Sequence, residues 1–82
     1  MPYEKYNDPI EVITLFQGMK VTPVRFKWGK HSYAVTQVLH VHTIHDGRER
    51  IHMFSVANDT ESFRLAFHTE IMQWFLKEHY VE

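Results

Sequence analysis

Pro23-Val24-Arg25-Phe26-Lys27-Trp28-Gly29-Lys30-His31-Ser32-Tyr33-Ala34-Val35 is the stretch that decides the fold. Val24, Phe26 and Trp28 alternate with Arg25 and Lys27, the period of a strand with one buried face. Gly29-Lys30 reads as a two-residue hairpin loop, with glycine at the first central position as a type II′ turn requires. That loop sets Phe26 opposite Tyr33, Val24 opposite Val35 and Lys27 opposite Ser32. Aromatic and β-branched side chains then meet on one face and polar groups on the other. A slip of one residue would separate Phe26 from Tyr33. Pro23 suits the start or edge of a strand, where no ladder donor is needed.

The same alternation continues outward in both directions. Ile10 to Gln17 is a β-rich run ending at Gly18, and residues 1 to 9 read as an irregular arm ahead of a single β domain over 10–82. After Tyr33 the pattern falters at Thr36-Gln37, which predicts a bulge or bend there. At the Asp46-Gly47 turn, a two-residue loop pairs Leu39 with Phe54. A four-residue loop instead pairs Val41 with Phe54 and Ile44 with Ile51, and it is favoured because it matches more apolar partners. Asn58-Asp59 forms the next turn, before Phe63, Leu65 and Phe67. The C-terminal segment fits either a short helix capped at Thr69-Glu70 or, preferably, a strand over Met72 to Tyr80 after a turn around His68 to Glu70.

These elements predict an all-β domain of five or six antiparallel strands, forming a partly open SH3-like barrel or strongly twisted sheet. The expected core is Val24, Phe26, Trp28, Tyr33, Val35, Leu39, Val41, Phe54, Val56, Phe63, Leu65 and Phe67. Eighty-two residues are close to the minimum for one unaided core, but 44% hydrophobic and 15% aromatic content supplies large buried areas. The chain has no cysteine, which excludes disulfides and thiolate metal sites. No apolar run reaches the roughly 20 residues of a membrane span, and the first residues lack the layout of a signal peptide, so a cytoplasmic protein is expected.

The net charge of -1 is unevenly spread. Lys20, Arg25, Lys27 and Lys30 lie in an acid-free stretch between Glu11 and Asp46, giving +4, while the remaining five basic and ten acidic residues give -5. Such asymmetry attracts anions. Lys20, Arg25, Lys27, Lys30, Arg48 and Arg50 are therefore the candidate nucleic-acid-binding residues. With Trp28 and Tyr33 turned into the core, however, the stacking surface for bases is weak.

His40-x-His42 puts two imidazoles on one side of a strand, a spacing that chelates Zn or Cu, but a stable site needs a third donor. No donor is positioned by sequence, and His52 falls on the opposite face, so no metal or other cofactor is assigned. Ser32, Ser55 and Ser62 lie in no nucleophile elbow. Asp8, Asp46 and Asp59 read as turn formers, and three glycines make no phosphate loop. A catalytic role is not expected.

The run from Pro23 to Leu39 resembles the core of an uncharacterised family of small bacterial domains. Their pattern is Phe-x-Trp, a short basic turn, Tyr-x-Val, then Val-Leu. Phe54-Ser55-Val56, Phe63-Arg64-Leu65 and Trp74-Phe75-Leu76 look like that family's closing hairpin and last strand. Members occur fused to polymerase-like proteins of mutagenic DNA repair, which implies a nucleic-acid role. This chain carries histidines where those relatives carry Arg and Trp. The expectation is a non-enzymatic interaction module with an unknown protein partner or a second copy of itself. The alternative is an accessory nucleic-acid binder linked to DNA repair, and no membrane partner is expected.

Overall fold

The computed structural model describes residues 3–81 and is all-β. Seven strands run β1 Tyr3–Gln17, β2 Lys20–Trp28, β3 His31–Ala34, β4 Gln37–Asp46, β5 Glu49–Ala57, β6 Glu61–His68 and β7 Gln73–Val81. They form one open sheet, ordered β3-β2-β1-β7-β6-β5-β4, with every neighbouring pair antiparallel. Seven strands replace the five or six expected. The added strand comes from the break at 35–36, which divides the stretch from 31 to 46 into β3 and β4, while residues 3–9, set apart above as an arm, extend β1 and pair with β7. The C-terminal alternative resolves as a strand after a turn over 69–72, and the described residues contain no helix.

Three hairpins share one turn chemistry. Gly18, Gly29 and Gly47 have φ of +60°, +62° and +62°, and each is followed by a residue of negative φ. These are the Gly-X loops whose twist matches that of flanking strands. The central hairpin has the expected register, with Phe26 opposite Tyr33 and Lys27 opposite Ser32. The β4–β5 register is also the favoured one, with Val41 opposite Phe54 and Ile44 opposite Ile51, although the loop is only Gly47-Arg48.

The outermost strands of the sheet, β3 and β4, are consecutive in the chain. Only Val35 and Thr36 join them. Val35 N–H donates to Val24 O of β2 at 3.0 Å, and Thr36 N–H donates to Ala57 O of β5 at 3.0 Å. Adjacent residues thus bond to opposite flanks, which rolls the sheet at that end. The break expected at Thr36-Gln37 is this step.

A packed cluster of Ile10, Phe26, Phe54, Val56, Phe63, Leu65, Phe67, Trp74 and Leu76 fills the concave face. Met53 and Ala66, paired across the other face, are buried as well. Six of the expected core residues are buried; Val24, Leu39 and Val41 are not, at 38%, 53% and 50% exposed. Bulges explain two of them. Val24 is skipped between the pairs Thr14–Pro23 and Ile13–Arg25, so Pro23 takes the inward place. Leu39 is skipped between Val38–Val56 and His40–Ser55. Val41 pairs with buried Phe54, but its strand ends the sheet and its side chain lines an open groove shared with Met19 and Val21. Trp28, Tyr33 and Val35 are half-buried against the cluster.

Candidate functional site

The six basic candidates are all exposed. Antiparallel order places the turns at 18–19 and 47–48 at one end of the sheet and the turn at 29–30 at the other. Lys20, Arg48 and Arg50 therefore lie toward one end, and Lys27 and Lys30 toward the opposite end, with Arg25 between. Lys27 is paired with Glu11 across β1 and β2, which offsets its charge. The six residues are thus spread along the length of the sheet. Trp28 and Tyr33 face inward, as expected. Trp28 Nε1 donates to Asp8 Oδ2 at 3.0 Å, so Asp8 sits within β1 as an acceptor and is not a turn former.

Two histidines are spoken for by carboxylates. His79 Nε2 lies 2.7 Å from Glu61 Oε1, and His68 Nδ1 lies 3.2 Å from Glu49 Oε1. His52 Nδ1 is 3.0 Å from Thr43 Oγ1 on the concave face, opposite to His40 and His42 as the alternation requires. His40 and His42 stand side by side on the convex face, ring centroids 5.2 Å apart. Among the described residues of one chain, no third donor joins them.

The feature that sequence reading did not single out is the free edge of β4. All ten of its residues are exposed, and β4 ends the sheet order. Its main-chain polarity follows from one bond. Thr69 N–H donates to Arg50 O at 3.1 Å, so Arg50 turns its main chain toward β6 and away from its β4 partner His45. Antiparallel pairs alternate between bonded and non-bonded. Asp46, Ile44 and His42 therefore bond to β5, whereas His45, Thr43 and Val41 aim N–H and C=O outward from the sheet.

The other two edges are guarded. β3 is four residues long. The part of β2 that β3 leaves uncovered contains Pro23, which has no N–H to offer. Short edges and prolines are common defences against edge-to-edge pairing, as are lysines. Between Gln37 and His45, β4 has no Lys, Arg or Pro. No known protein family, curated protein or solved structure matches this chain.

Proposed function

We propose that this chain is a non-enzymatic interaction domain that pairs with a second copy of itself along β4. The observation that carries this reading is the unguarded edge at Val41, Thr43 and His45, on a sheet whose other edges are blocked. The strand is also self-complementary. Antiparallel pairing about a two-fold axis at Thr43 sets Thr43 opposite Thr43 and Val41 opposite His45 of the second copy. It sets His42 opposite Ile44 and His40 opposite Asp46. No like charges meet, hydroxyl meets hydroxyl, and imidazole meets carboxylate. This register uses the whole strand beyond the Leu39 bulge and makes about six new backbone hydrogen bonds. An SH3-like roll of the sheet belongs to the same proposal, supported by the Val35–Thr36 step between its two flanks.

The nucleic-acid alternative is less well supported, because five of its six basic residues divide between two ends of the sheet, with Arg25 between them. Sedimentation equilibrium of the full chain tests the proposal. Wild type should show a concentration-dependent dimer. Thr43→Pro, which deletes an outward donor, should be monomeric at the same concentrations, while Thr43→Ala should still dimerise. A wild-type chain that stays monomeric, or a Thr43→Pro chain that dimerises as well as wild type, would overturn it.

A further inference from the structure

We infer that two copies joined along β4 build a pair of transition-metal sites, each from His40 and His42 of one copy and Asp46 of the other. The inference rests on the edge pairing proposed above and names what that edge binds.

His40 and His42 have the ring separation that a chelating pair requires. Nitrogens about 2.0–2.1 Å from a tetrahedral Zn²⁺ place the centroids of two imidazoles roughly 5 Å apart. The observed separation is 5.2 Å, on an exposed face. What one chain lacks is the third ligand.

The pairing register supplies it. With Thr43 on the two-fold axis, His40 faces Asp46 of the second copy in a non-hydrogen-bonded pair, whose Cβ atoms lie about 4.5–5.5 Å apart. His42 is diagonal to the same carboxylate. Asp46 lies on the convex face with His40 and His42, since it is four positions beyond His42 and six beyond His40, both even offsets, without a further bulge.

Nearby groups leave the three ligands free. Across β5, His40 faces Ser55 and His42 faces Met53. Glu49, across from Asp46, is engaged by His68. The two-fold axis repeats the arrangement, so the dimer has two equivalent sites. Two imidazoles, one carboxylate and one open position suit Zn²⁺, with Cu²⁺ and Ni²⁺ as competitors.

The test uses untagged full-length protein, ZnCl₂ as the only added metal, and sedimentation read in parallel with bound zinc. Wild type should hold about one zinc per chain, and chelation should weaken the dimer by at least about tenfold. Asp46→Asn and the double variant His40→Ala/His42→Ala should each lose zinc. An equimolar mixture of these two should regain about a quarter of the wild-type zinc if the copies pair at random, rising toward half as zinc favours the mixed dimer, because only a mixed dimer rebuilds a complete site, and it rebuilds one of two. Full zinc binding by Asp46→Asn, or no recovery on mixing, would overturn the composite site. A wild type that dimerises without taking up zinc would sink the metal site but leave the pairing intact. A wild type that is monomeric with and without zinc would remove both.

Discussion

His79 lies flat on Phe63, with ring centroids 4.8 Å apart and planes 2° from parallel, while its Nε2 rests 2.7 Å from Glu61 Oε1. The edge of Trp28 closes a third side of the imidazole, with centroids 5.3 Å apart. One histidine thus ties β7 to β6 and to the β2–β3 hairpin across the concave face. His79→Ala forfeits the stack and strands a part-buried carboxylate, and should cost about 1–3 kcal/mol in urea unfolding. Glu61→Gln keeps the stack and should cost less.

Thr43 and His42 are neighbours on β4 whose main chains point in opposite directions. His42→Pro removes a ladder bond to β5 and leaves its acceptor unpaired, and should destabilise the fold by about 2–3 kcal/mol. Thr43→Pro removes only an outward donor and the Thr43–His52 side-chain bond. Its cost should stay near 1 kcal/mol. Thermal or urea unfolding of both variants at concentrations low enough to keep the chain monomeric checks the assigned polarity. Equal costs would contradict it.

How much of this was legible in the sequence depended on the range of each interaction. The Phe26–Tyr33 register could be read because Gly29 marks its turn and the alternation on either side is unbroken. The Val41–Phe54 register could be read because it matched more apolar partners than the alternative offset, although the loop length could not. The bulges at Val24 and Leu39 carry no local signal: each is an ordinary β-forming residue, and only the partner strand shows that it is extra. Ile10, Trp74 and Leu76 were missed as core because they meet through β1–β7 pairing, between opposite ends of the chain. The edge at β4 was invisible for the same reason, since which strand ends the sheet is decided by that long-range pairing. His40, His42 and Asp46 were noticed as residues, but their relation needs a neighbouring strand.

Each of the three Gly-X turns holds its glycine at positive φ with open space where a side chain would begin. The cost of Gly29→Ala is then backbone strain alone, about 1 kcal/mol. Gly18→Ala and Gly47→Ala should cost similar amounts. Chemical unfolding of the three variants would show a common value; one much larger cost would mean that a turn has a packing role.

Burial, and then the nearby Glu61 carboxylate, raise the Tyr33 hydroxyl above its ordinary value near 10. The unfolded chain therefore releases that proton first. Stability is unaffected below pH 10 and falls as pH rises above it toward the raised folded value. Tyr33→Phe should flatten that alkaline decline in pH-dependent urea unfolding, and an unchanged slope would exclude Tyr33 as its source.

Amide hydrogen exchange along β4, followed over a wide range of protein concentration, tests the edge pairing most directly. Amides of His42 and Ile44, bonded to β5, should be protected at every concentration. Those of Val41, Thr43 and His45 should exchange rapidly in dilute protein and become protected together as concentration rises. Rapid exchange of these three at all concentrations, alongside protected His42 and Ile44, would mean that the free edge of β4 stays open and that no second copy binds there.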